Sequence, residues 1–269
     1  MTKKINGVSL KKTENYAVFI ISELSTELKK IIRERLASVC FGEADASSDC
    51  ELYCYKNTLK EFLKRYAVKT DAQKKGMIGE LLLHVLLSTQ LEEYVVNSPF
   101  FNLEERSAKK GFDVVLNKKG TTELWLAESK SGEIHTGKTT SQTVVELIGT
   151  AQADLDDRLN GDSFSLWLNA INSAKAAIST KRDDREAIIS ILRSKGVDAI
   201  NEKITSQDIN VILVGTVFHS LEDTLEEEKI SEKHTRVKKT NKFHAVYLVA
   251  IQKETYTAIY DFLKSESIG

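Results

Sequence analysis

Phe112-Asp113-Val114-Val115-Leu116 and, after a short loop, Leu124-Trp125-Leu126-Ala127-Glu128-Ser129-Lys130 decide how the rest of this chain is read. Both runs have strand composition, and both are interrupted by acid. A carboxylate among Trp, Leu and Val is costly unless it is paired or holds a cation. Alternate residues of a strand share a face, so Leu124, Leu126, Glu128 and Lys130 point one way. A hairpin centred between Gly120 and Thr121 sets Asp113 opposite Glu128, with Cβ atoms about 5 Å apart. Bare carboxylates at that spacing repel, and a hard divalent cation reverses the sign. Mg²⁺ (or Mn²⁺) takes oxygen ligands and keeps several waters, so two carboxylates and an open side suit it. Lys130 reaches the same cluster, where an ammonium orients a water or neutralises charge building on a phosphate.

The bare spacing is weak evidence. A chain this charged yields about one Glu-x-Lys by chance, and Glu27-Leu28-Lys29 and Glu227-Glu228-Lys229 are further copies. Those fall on a helix and in a charged connection, where side chains are solvated. Context sets the third copy apart. Upstream, Asp71 to Gln90 reads as a helix that is apolar almost all round, hence buried. Within it Glu80 has little polar company except His84, and Gly79 permits close approach of helix to strand.

Around this centre the pattern predicts an α/β protein, a mixed sheet covered by helices. Residues 14 to 39 carry Ile20, Ile21, Leu24, Leu28, Ile31, Ile32 and Leu36 at helical spacing, and residues 57 to 66 form a second amphipathic helix. A strand-like piece surrounds Leu52 to Tyr55. The reading is thus a helical N-terminal extension over 1–70 and a core over 71–269, with one continuous domain as the alternative. Helices are expected from about Ser141 to Leu159, from Phe164 to Ser179, and from Arg185 to Lys195 with Gly196 as its stop. Val211 to Phe218 and Phe243 to Gln252 are continuous apolar strands of a covered sheet. An exposed charged connection joins them, and a last helix spans about Glu254 to Lys264.

Composition bounds the function. The 269 residues are 41% hydrophobic and 29% charged, with one proline and a formal net charge of -1. No global basic field announces nucleic acid, so contact with DNA must rest on local patches. Cys40, Cys50 and Cys54 read as free thiols of a reducing cytoplasm rather than as zinc ligands. No apolar run reaches the roughly 20 residues of a membrane span, so a soluble cytoplasmic protein is expected.

Gly132-Glu133-Ile134-His135-Thr136-Gly137-Lys138-Thr139 matches the phosphate-binding loop G-x-x-x-x-G-K-[ST]. A nucleotide-binding protein is therefore the competing reading, and a catalytically silent module binding DNA or a partner is a third. Against the first stand Ile134 and His135, where tight wrapping of phosphate favours small residues. The feeding strand also carries charge, and no later strand ends in the aspartate that assists magnesium. The loop keeps a milder use, with Lys138 beside a DNA phosphate. The basic run that includes Lys238 and Lys239 is a second candidate for phosphate contact.

Gly79-Glu80, Asp113, Glu128-Ser129-Lys130 and the helix that follows resemble the PD-(D/E)XK restriction-endonuclease fold over roughly residues 76 to 155. More narrowly, Gly111 to Val115 with Leu126 to Lys130 resemble the HamA family, the nuclease subunits of Hachiman antiphage defence. The resemblance implies a DNA-cleaving effector working with a HamB-like superfamily 2 helicase. It implies Asp113, Glu128 and Glu80 at the metal, Lys130 at the water or transition state, and a further polar residue on the next helix. Gln142 and Gln152 both qualify for that last place. Phe112 stands where the pattern has proline. The near-neutral charge accords with an enzyme that receives DNA from its partner.

Overall fold

The computed structural model describes residues 4–101, 111–161 and 164–267. Among them seven strands form one mixed sheet. They are Val8–Lys12 (β1), Tyr16–Ile21 (β2), Tyr94–Val96 (β3), Val114–Lys118 (β4), Leu124–Glu133 (β5), Asn210–Phe218 (β6) and Ala245–Lys253 (β7). Their order is β1-β2-β7-β6-β5-β4-β3. The four central strands, β2, β7, β6 and β5, run parallel, while β1 on one flank and β4 and β3 on the other are antiparallel.

Nine helices complete the described chain: Thr26–Phe41 (α1), Glu43–Ala46 (α2), Tyr55–Ala67 (α3), Asp71–Gln90 (α4), Thr140–Asn160 (α5), Phe164–Ala177 (α6), Arg185–Ile200 (α7), Glu227–Lys239 (α8) and Thr257–Glu266 (α9). They divide between the sheet's faces. Leu28, Ile32, Phe62, Ile78, Leu82 and Leu263 from α1, α3, α4 and α9 pack on Phe19, Trp125, Ala127, Val214 and Ile251. Val144, Ile148, Trp167, Leu192 and Ile230 from α5 to α8 pack on Val18, Leu126, Leu213 and Leu248. The two sets alternate along each strand, as a pleat buried on both faces requires. This is the mixed sheet covered by helices that the sequence predicts, and α4, apolar all round, lies buried in it.

Several local expectations are corrected. Tyr16 to Ile21 is a strand, and the helix begins only at Thr26, where Ser25 caps it by accepting from the Leu28 N–H. The run Ala17-Val18-Phe19-Ile20-Ile21 is apolar on both faces, so its periodicity does not distinguish helix from strand. With β1 it forms a hairpin, and β2 lies alongside β7 from Tyr16↔Leu248 to Ile21↔Lys253. The N-terminal segment is therefore woven into the main sheet and does not open on a helix. Residues Glu51–Tyr53 make a short 3₁₀ turn instead of a strand.

The charged stretch between β6 and β7 is helix α8, with Ile230, His234 and Val237 buried one turn apart. Acid at its start and base at its end both suit the helix dipole. Helix α7 runs through Gly196, which serves packing rather than termination: a Cβ there would stand 3.1 Å from Trp167 Cβ. Cys40 is buried in the core, Cys50 and Cys54 are exposed, and all three are free. Among the described residues no helix is long and apolar enough to cross a membrane.

Candidate metal and phosphate site

Strand β5 pairs with β6 along its whole length, from Trp125↔Asn210 to Glu133↔Phe218. On its other side, pairing with β4 stops at Val114↔Ala127. The next position in that register sets Asp113 against Glu128, as the hairpin centre predicts. Beyond it the Ser129 N–H donates to the Asp113 carboxylate (Oδ2, 2.8 Å), so a side chain takes the place of the ladder. The carboxylate is thereby fixed at the end of the strand pair.

Glu128 follows Leu126 on the α5 face and is only 3% exposed. Lys130 lies two residues on, and its Nζ donates to Glu128 Oε1 at 2.9 Å. The same ammonium pairs with Asp154 Oδ2 at 2.7 Å. Glu128 Oε2 accepts from Arg158 Nη2. Asp154 and Arg158 are one turn apart on α5, so a single helix face supplies both. Neither was among the residues singled out from the sequence. The candidates there, Gln142 and Gln152, are engaged elsewhere: Gln142 completes the capping box of α5 with Thr139, and Gln152 donates to Thr240 Oγ1 at 3.3 Å.

Gly79 packs as expected. A Cβ on it would overlap Ser131 Oγ and stand 3.4 Å from Thr216 Cβ, so only glycine lets α4 sit this close to β5 and β6. Ser131 and Thr216 face α4, whereas Glu128 and Lys130 face α5. Glu80, half-buried, thus belongs to the helical layer across the sheet from the Glu128 side chain. Among the described residues no three His, Cys, Asp or Glu side chains are grouped to hold a metal. The structure brings together Asp113, Glu128 and Lys130, and does not gather Glu80 with them into a three-carboxylate cluster.

The electrostatics follow from this placement. Burial, and then the charge of Asp113, push the Glu128 carboxyl up to about 7, against the pull of Arg158 and Lys130. Burial works against the Lys130 ammonium, but Glu128 and Asp154 outweigh it and hold its pKa above the usual lysine range. Between pH 4.5 and about 7 the folded chain keeps a proton on Glu128 that the unfolded chain has released. Stability therefore falls as pH rises through that window. Above it, the ionised Glu128 costs on the order of 3 kcal/mol.

Glu128→Gln is accordingly expected to resist urea better than wild type at about pH 8 in EDTA, with the gap closing near pH 4. Equal gaps at both pH values would contradict this account of the burial.

The donor set suits a hard cation. Two carboxylates meet at the end of a strand pair, and the buried one is still raised in pKa despite two basic neighbours. Mg²⁺ matches such a pair because it keeps waters where a protein cage is incomplete.

The phosphate-loop motif folds otherwise than nucleotide binding needs. Gly132 is inside β5, opposite Val217. Lys138 Nζ pairs with Glu146 at 3.1 Å, and the Thr139 hydroxyl is spent capping α5. His135 Nδ1 meets the same Glu146 at 2.7 Å, and the histidine contact followed by the Lys138 contact holds that carboxyl below its ordinary value. Gln142 is twelve residues before Asp154 on α5, about 18 Å along the helix. Lys238 and Lys239 are exposed on the last turn of α8.

The whole of this framework, and not the site alone, matches one family: the HamA model covers residues 3–266. The chain belongs to the HamA family. That places it among the components of Hachiman defence. A search among curated proteins found no match. The match spans both the N-terminal hairpin and the C-terminal strand that it pairs with, so the membership takes in the entire sheet.

Proposed function

We propose that this HamA-family chain is a metal-dependent deoxyribonuclease, the hydrolytic effector of a defence system, fed or restrained by a superfamily 2 helicase of the HamB type. The observation that carries this reading is the side-by-side placement of Asp113, Glu128 and Lys130 where β5 outruns β4.

Asp113 and Glu128 hold Mg²⁺ or Mn²⁺ in this reading, and Glu80, on the helix across the sheet, stands outside that pair. The ion, when bound, supplies Lewis acidity and a more acidic water. The chain supplies the rest. The Ser129 N–H fixes the Asp113 carboxylate. Lys130, held between Glu128 and Asp154, stays protonated and faces the negative charge that grows on a phosphodiester under attack. Lys138 and Gln142 at the start of α5, and Lys238 and Lys239 at the end of α8, supply phosphate contacts at a distance from the reacting bond. Such contacts are exposed and salt-sensitive, which accords with a near-neutral protein that leans on a partner for DNA.

The test is incubation of plasmid DNA with the chain, alone and with its helicase, in Mg²⁺ or in EDTA. Cleavage that requires the divalent ion supports the reading. Cleavage unaffected by EDTA, or none even with helicase, ATP and DNA present, overturns it.

A further inference from the structure

Both oxygens of the Glu128 carboxylate already accept from cationic donors. Lys130 holds Oε1, and the Arg158 guanidinium holds Oε2. A divalent ion ligated by Glu128 must therefore share or displace one of them, and the two are not held equally. The Lys130 ammonium has a second carboxylate, Asp154 Oδ2, at 2.7 Å. The remaining contacts of Arg158 are to neutral backbone carbonyls, Nη1 to Gly111 at 3.1 Å and Nε to Asp154 at 3.3 Å. Hydrogen bonds to neutral acceptors are about half as strong as those to ionised ones. A dication placed on Glu128 also repels a guanidinium on the same carboxylate.

We propose that Arg158 is the resident counter-ion of Glu128, competing with the divalent cation for that carboxylate and so setting the protein's affinity for metal. The inference rests on the metal-site reading above and adds a restraint to it. In the metal-free protein Arg158 neutralises the buried acid and ties three places together: α5, mid-β5, and the residue two before Asp113. Metal binding releases the guanidinium from Glu128. At 30% exposure it has room to swing outward. Arg158 is thus a positioning residue of the resting protein, whose departure accompanies loading of the site.

The test is calorimetric titration of Mn²⁺ into wild type, Arg158→Gln and Glu128→Ala, without DNA. Arg158→Gln is expected to bind Mn²⁺ about tenfold tighter than wild type, and Glu128→Ala to lose the site. Equal or weaker binding by Arg158→Gln overturns the competition and leaves the metal site standing. Absence of Mn²⁺ binding in both proteins overturns the competition and the metal site together.

A second measurement does without Arg158→Gln, in case that variant folds poorly. Phenylglyoxal labelling of Arg158, read by peptide mass spectrometry, is expected to rise several-fold when Mn²⁺ is added. In Glu128→Ala it is expected to be high with or without the ion. Labelling of wild type that does not change with Mn²⁺ overturns the proposal.

Discussion

Lys130→Ala and Glu128→Ala are each expected to lower DNA cleavage by about 10³-fold or more, with the fold intact. Lys130 bridges the carboxylates of Glu128 and Asp154, so its removal takes the ammonium from between two acids that face an incoming phosphate anion. An alanine there supplies neither the charge nor the proton donor. Glu128→Ala removes one of the two carboxylates that meet at the strand end. It also removes a carboxyl whose charged form burial disfavours, and circular dichroism separates loss of activity from loss of structure. The measurement is initial cleavage rate in saturating Mg²⁺ with the helicase present, beside circular dichroism of each variant. Wild-type rates in a folded Lys130→Ala variant would remove the ammonium from the mechanism. Wild-type rates in both variants would put the reaction elsewhere in the molecule.

The largest stability effect is expected at Gly42. Its backbone sits at φ 92° and ψ 167°, a region essentially closed to residues with a Cβ. A Cβ added there would overlap the Cα and Cβ of Ala177. Gly42 joins α1 to α2 in one helical layer, and Ala177 ends α6 in the other. The contact is one of those that fasten the layers to each other. Backbone strain and overpacking together put Gly42→Ala about 3 kcal/mol or more below wild type. For a chain of this size that is a melting temperature roughly 6–12 °C lower.

Gly76 provides the opposite sign. It lies within α4, and nothing stands within 4 Å of where its Cβ would be. Gly76→Ala is expected to add up to about 1 kcal/mol. Thermal melts of the two variants check the pair. A neutral Gly42→Ala would mean that the α1–α2 junction relaxes away from α6.

The strand pair was legible because its signals are local. Period-two alternation fixes which residues share a face, and the hairpin centre fixes which residues oppose each other. Together they set Asp113 against Glu128 with Lys130 on the same side. The helices were legible where one face is apolar, as in α5 with Val144, Ile148, Ala151 and Leu155.

Two kinds of feature were not legible. Tyr16 to Ile21 is buried on both faces, and a run without contrast carries no period to read. Asp154 and Arg158 look, in sequence, like ordinary helix-surface charges one turn apart, and only the packing of α5 on β5 turns them toward Glu128. The basic run after Glu228 reads as an exposed connection because charge dominates it. Ile230, His234 and Val237, at i, i+4 and i+7, were the signal that could have shown α8.

The pairing of β2 with β7 sets the order in which the protein can become whole. Residues 16–21 and 248–253 lie side by side, although almost the full chain separates them. During synthesis the N-terminal hairpin leaves the ribosome early and has no strand to join until the last one follows. Contacts of such long sequence separation form late and slowly. A nascent chain that has reached residue 200 already carries Asp113, Glu128, Lys130 and Arg158, but β6 and β7 do not yet exist to hold β5 in place. An unfinished chain therefore possesses the residues of the proposed metal centre without the geometry. In this fold, assembly of the centre is a late event in the life of each molecule.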